Sequence, residues 1–182
     1  MSRHARLLAE LETYAGADAA EERHRAAMVK LLTSDGAFSR AHFQPGHFTA
    51  SCYILDQAQR MLLHHHRRLN RWLQMGGHVE ADEWPSRAAL REGIEESGLH
   101  DLRLDDGIFD LDIHTIPAAK GEPEHAHYDV RYVARTDAPD AIAIDRAESN
   151  ELAWVTLDRA AELMPGPESQ RVIRKIRERS LT

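Results

Sequence analysis

Apolar positions recur at helical spacing over the first 33 residues. Leu7, Leu8, Leu11 and Tyr14 fall on one face, Gly16 interrupts, and Ala19 to Leu32 resumes with Ala27, Met28, Leu31 and Leu32. From about residue 47 the pattern changes to short strands separated by turns. Phe48 to Leu55 is rich in aromatic and β-branched residues, Asp56-Gln57 begins a turn, and Arg60 to His66 is the expected hairpin partner. Two later segments alternate more cleanly. In Phe109 to Thr115 the residues Phe109, Leu111 and Ile113 share a face, with Asp110, Asp112 and His114 opposite. In His125 to Arg135 an apolar face of Ala126, Tyr128, Val130, Tyr132 and Ala134 backs a polar one of His125, His127, Asp129 and Arg131. A polar loop with Pro117, Gly121 and Pro123 joins them. A short strand over Leu152 to Val155 follows, then a helix from Leu157 to Met164 capped by Thr156 and stopped by Pro165-Gly166-Pro167. A last helix carries Val172, Ile173 and Ile176 as its stripe. The pattern predicts an α/β (α+β) layered fold, with a helical extension over residues 1–45 and a main domain over 46–182.

Composition narrows the function. Lys plus Arg number 23 against 30 Asp plus Glu, a formal net charge of −7, which disfavours duplex nucleic acid as a partner. No apolar run is long enough to span a bilayer, and the charged start lacks the apolar core of a secretion signal. A single cysteine, Cys52, excludes an internal disulfide and a multi-cysteine zinc site. These features predict a reduced, cytoplasmic protein without membrane association. Cys52 shares a strand face with Ala50 and Ile54 and is expected to be a buried, inert thiol.

The chemistry concentrates in Gly76 to Leu99, GGHVEADEWPSRAALREGIEESGL. Pro85 suits a first helical position and Gly98 a terminator. On that helix Glu92, Glu95 and Glu96 stand at i, i+3 and i+4, within about one third of the circumference, with Leu90 and Ile94 on the side expected to be buried. Like charges so spaced cost about 0.2–0.5 kcal/mol per pair, a penalty that a divalent cation removes. Carboxylate oxygens suit hard cations, and Mg²⁺ combines one or two carboxylates with waters and substrate phosphate.

Gly77, Glu83, Arg91, Glu92, Glu95, Glu96, Gly98 and Leu99 fall in register with the signature of the Nudix hydrolases, Gly-x5-Glu-x7-Arg-Glu-U-x-Glu-Glu-x-Gly-U, where U is bulky and apolar. Seven fixed polar or glycine positions at about 7% usage each match by chance in about 10⁻⁸ of registers. The chain resembles that family, with one departure: Gly93 replaces the first apolar U. The resemblance implies an α/β/α sandwich around a central mixed sheet and hydrolysis of a nucleoside diphosphate linked to another moiety. It further implies Mg²⁺, with Mn²⁺ as a substitute, on Glu92, Glu95, Glu96 and the carbonyl of Gly76. Arg91 and Glu83 would orient the acids, and Arg91 can reach Glu95 at i, i+4. A carboxylate outside the helix would accept the proton of the attacking water. Glu148, six residues before Trp154, is the first candidate, then Glu151, then Glu122 or Glu124.

Twelve histidines are the compositional oddity. His64 and His66 share a strand side, as do His125 and His127, the latter pair expected near Asp112 or His114 and able in principle to hold Zn²⁺. His78, His127 and Arg131 are expected to contact substrate. Two other readings stay open: a non-catalytic nucleotide-sensing domain, and an isopentenyl diphosphate isomerase, disfavoured because RWLQMGGHVE lacks a cysteine. Exchange of a hairpin or N-terminal helix would allow a homodimer.

Overall fold

The computed structural model describes residues 2–119, 121–147 and 149–179. Five α-helices are seen among them: α1 (Arg3–Thr13), α2 (Ala19–Leu31), α3 (Pro85–Ser97), α4 (Leu157–Leu163) and α5 (Pro167–Arg179). The strands are β1 (Gly46–Leu55), β2 (Met61–His66), β3 (Arg71–Leu73), β4 (Met75–His78), β5 (Arg103–Leu104), β6 (Asp110–Ile116), β7 (His125–Arg135) and β8 (Ser149–Val155). Pairing orders them β3-β2-β1-β7-β5, with β4 on β1, β6 on β7 and β8 on β2. The class is α+β, a mixed and curled sheet with helices, as expected. No helix among the described residues is long and apolar enough to cross a membrane.

Contacts divide the chain into two compact units. The first comprises residues 1–51, 76–89 and 106–132. Here Ser2 and Asp18 cap α1 and α2, each side-chain oxygen accepting amide hydrogens of the first turn. Leu7 and Leu11 of α1 and Met28 and Leu31 of α2 are buried, four of the eight apolar positions the helical pattern singled out. Glu21, fully buried, ties these helices to β6: it accepts the backbone N–H of Leu111 at 3.1 Å, that of Ala17 at 2.6 Å and the Tyr14 hydroxyl. Residues 1–45 thus share one compact unit with strand residues of β1, β6 and β7. β6 and β7 pair antiparallel, setting Asp110 opposite Arg131, Asp112 opposite Asp129 and His114 opposite His127.

The second unit comprises residues 52–75, 90–105 and 133–182, described to 179. β1 and β2 close as a hairpin with Ile54 opposite Leu62, and the turn is held by Asp56, whose carboxylate accepts from the backbone and guanidinium of Arg60. β8 pairs along β2, from Met61 opposite Val155 to His66 opposite Ser149. Thr156 caps α4 through Arg159 N, as its place before the helix predicts. The Gln170 amide donates to the carbonyls of Ala161 and Met164 at the end of α4. Val172, Ile173 and Ile176 are the buried stripe of α5, as predicted.

Candidate active site

In the first unit β4 runs against β1 so closely that a Cβ at Gly76 would fall 2.3 Å from Ser51 Cβ and 2.8 Å from the Ala50 carbonyl oxygen, so only glycine fits there. The loop that leads from β4 to α3 is braced by α1. The Arg6 guanidinium lies 3.7 Å over the Trp84 ring, and Arg3 donates to the Glu80 carbonyl at 3.0 Å. Glu83 accepts the Glu80 N–H at 3.1 Å while its own N–H reaches the Glu80 carbonyl, a tight knot at the helix entrance. Pro85 opens α3 and Gly98 follows its last residue.

The acids of α3 occupy graded environments. Glu96 is 4% exposed, Glu92 is half-buried, and Glu95 projects outward with 58% of its side chain exposed. Arg91 Nη1 spans two of them, 2.8 Å from Glu92 Oε1 and 3.1 Å from Glu95 Oε2, so the expected pair with Glu95 extends to Glu92. The inward side of α3 differs from the expectation. Leu90 and Ile94 are only half-buried; Ala89, Gly93, Glu96 and Ser97 form the buried line. Small residues allow the backbone to approach its neighbours, which volume-blind apolar patterning does not register.

Glu148 lies outside the described residues. Glu151 is exposed on β8 opposite His65, and Glu122 accepts from Arg40 at 3.2 Å in the β6–β7 loop, beside the exposed Glu124.

The aspartates and the arginine on the polar face of β6 and β7 are buried. Arg131, expected to meet substrate, is 4% exposed and donates to Asp129 at 2.8 Å and Asp112 at 2.9 Å, with Asp110 at 3.5 Å. Its guanidinium is thereby committed to the interior rather than presented to a ligand. Asp129 also accepts from Thr49 and Ser51, and His114 reaches Asp112 at 3.1 Å. Burial alone would raise the Asp112 carboxyl, but the His114 hydrogen bond and the charges of Arg131, His114 and His24 outweigh it and hold it far below the usual carboxylate range.

His127 lies opposite His114 in the β6–β7 ladder, ring centroids 5.6 Å apart, as expected. It gathers with His47 of β1 and His78 of β4, ring centroids 4.9–5.2 Å apart. His125 turns its Nδ1 to the Pro123 carbonyl at 2.8 Å and stacks on His47. Asp112 belongs to the Arg131 network, so the anticipated His-x-His and carboxylate set does not assemble. His47 was invisible to the sequence reading because its partners lie 31 and 80 positions away; the surplus of histidines was the available signal. In the second unit His64 and His66 share a side as expected, and buried His64 contacts the Ser149 hydroxyl through Nδ1 at 2.7 Å. Cys52 is fully buried, as expected.

An α+β fold whose acid-lined helix follows a Gly-Gly strand is that of a hydrolase acting on pyrophosphate bonds. More particularly, residues 45–176 match the NUDIX domain, and the chain belongs to that family. A Lactococcus lactis protein named "Probable DHNTP pyrophosphohydrolase" is 26% identical over 116 residues, 63% of this chain and 69% of that protein. Among solved structures, a Caenorhabditis elegans Ap4A hydrolase binary complex has a TM-score of 0.61 at 21% identity, covering 74% of this chain and 97% of that one. The Escherichia coli dihydroneopterin triphosphate pyrophosphohydrolase has a TM-score of 0.59 at 20% identity, covering 72% and 95%. These last two likenesses establish the fold.

Proposed function

We propose that the protein cleaves a pyrophosphate bond in a nucleoside diphosphate carried on another moiety, with Mg²⁺ held by Glu92, Glu95, Glu96 and the Gly76 carbonyl, and Mn²⁺ as a substitute. The observation that carries this reading is the run of three acids on α3, two of them bridged by Arg91. The donor set fits the ion: carboxylate oxygens in mixed exposure, with Glu95 open to solvent, suit a hard cation that keeps waters and takes substrate phosphate. Bound there, the ion would neutralise pyrophosphate charge and make water a better nucleophile. Arg91 orients Glu92 and Glu95, limiting the rotamers from which they bind. Glu83 fixes the entrance of the helix through Glu80. A carboxylate accepts the proton of the attacking water, Glu148 first, then Glu151, then Glu122 or Glu124. His78 and His127 are the proposed contacts to substrate phosphate or sugar.

The test is a hydrolysis panel with Mg²⁺: nucleoside triphosphates, ADP-sugars, dinucleoside polyphosphates, coenzyme A derivatives and dihydroneopterin triphosphate. Turnover of at least one substrate, abolished by EDTA and restored by excess Mg²⁺, is the expected result. Tight binding of a nucleotide without turnover would instead establish a sensing domain, and interconversion of isopentenyl diphosphate an isomerase.

A further inference from the structure

We infer that His47, His78 and His127 form a second metal site, one that takes a single divalent transition-metal ion of the zinc type through three imidazole nitrogens and leaves a fourth position for water. The three rings come from β1, β4 and β7 of the first unit, and one nitrogen from each lies within 4.8 Å of the other two. A tetrahedral ion with bonds of about 2.0–2.1 Å to nitrogen needs edges of about 3.3 Å, so small side-chain rotations close the set.

Two of the three rings each hold an anomalous nitrogen. His47 is 1% exposed, and its Nδ1 sits 3.2 Å from the His42 carbonyl, to which it donates. That bond fixes the tautomer: Nε2 carries a lone pair, and this atom is buried with no hydrogen-bond partner. His127 Nε2 is buried and unpartnered in the same way. Leaving such an atom buried and unsatisfied is costly, because it has lost its hydrogen bonds to water and gained none in return. A cation shared by both removes the two penalties at once, and a backbone carbonyl behind a ligating ring is the usual arrangement that orients it.

Donor chemistry separates this site from the acids of α3. Three neutral nitrogens suit zinc, copper, nickel or iron and are poor ligands for magnesium, whereas the α3 oxygens favour the hard ion. His125 and His114 stand beside His127, at ring distances of 5.2 and 5.6 Å, but His125 Nδ1 is held by Pro123 and His114 Nδ1 faces Asp112. They flank the set rather than complete it.

The experiment uses the full chain purified without a histidine tag, loaded with Zn²⁺, dialysed and measured for bound metal, with affinity from a competing chelator. One equivalent of zinc is expected in the native protein. His47→Gln and His127→Gln should weaken it about 100-fold or more, while Glu95→Gln and His66→Gln keep it. Replacement by Co²⁺ should give the intense visible absorption of a tetrahedral ion, a readout on the native protein that stands even if a histidine variant fails to fold. Absence of bound zinc in the native protein, undiminished affinity in folded His47→Gln and His127→Gln, or loss of zinc in folded His66→Gln or Glu95→Gln would each overturn the site.

Discussion

Gly93 stands where the family signature carries a bulky apolar residue, and its neighbours give the reason. A Cβ at this position would lie 2.8 Å from Cys52 Sγ and 3.2 Å from Leu102 Cδ1, so any side chain must displace one of them. Helix propensity favours Gly93→Ala by about 1 kcal/mol, but overpacking costs about 1–3 kcal/mol. The variant should therefore be no more stable than the native protein, and up to about 2 kcal/mol less. In a Cys52→Ala background the added methyl gains room, and the double-mutant cycle in urea should show a coupling of about 1 kcal/mol or more. Additive effects would mean that the thiol is not what excludes the side chain. At the acids within a turn of Gly93 the expectation concerns rate. Glu92→Gln, Glu95→Gln and Glu96→Gln should each lower kcat about 100-fold or more at saturating Mg²⁺ with the fold intact, because each loses a charged oxygen donor. Glu96 needs its unfolding midpoint measured alongside, since it is buried where Glu95 is open. Near-native turnover in all three would remove the α3 acids from the reaction.

Arg131 shows what alternation along a strand conveys and what it hides. The period of two correctly places Asp129 and Arg131 on one side of β7, and Asp110 and Asp112 on one side of β6. It does not reveal that α2 packs on β6 and that this polar side is interior. A rule that equates polar with solvent fails where a second layer covers the sheet and the charges satisfy one another. The same limit applies to α3: Pro85 and Gly98 disclose its ends because capping is local chemistry, whereas its buried line of Ala89, Gly93, Glu96 and Ser97 depends on how near the neighbours come. The strand pairing opposite Arg131 carries a prediction of its own. Arg131→Met leaves Asp110, Asp112 and Asp129 buried without their cation and should cost about 3–5 kcal/mol in urea unfolding. Arg131→Lys should recover only part of that, because a single ammonium cannot reproduce a planar fork reaching three carboxylates. An unchanged midpoint in Arg131→Met would show the network to be dispensable.

Two opposing tendencies govern the whole molecule as pH falls from neutrality. The formal charge of −7 shrinks as the isoelectric point near 5.9 is approached, and reduced self-repulsion by itself favours the folded state. Buried His64 acts in the other direction, as do His47, His78 and His127, which burial also depresses. Burial, then the charges of His66 and His65, depress the His64 imidazole to about 4, against a weaker opposing hydrogen bond with the Gln74 backbone. Between about pH 6.5 and 4 the unfolded chain therefore takes up a proton that the folded chain refuses, and stability is lost across that window by as much as about 3 kcal/mol. Below it Asp112 takes over. Its depressed carboxyl contributes stability that is complete above the unfolded value of 3.8 and disappears as the folded group protonates. The local effect should prevail, because diffuse surface repulsion is screened at ordinary salt while His64 is 2% exposed. Urea midpoints measured from pH 7.5 to 4.5 at fixed ionic strength should fall, and His64→Gln should flatten that slope whatever its stability at neutral pH. A wild-type midpoint that rises toward the isoelectric point would put surface charge in control, and an equal slope in His64→Gln would assign the loss to other groups.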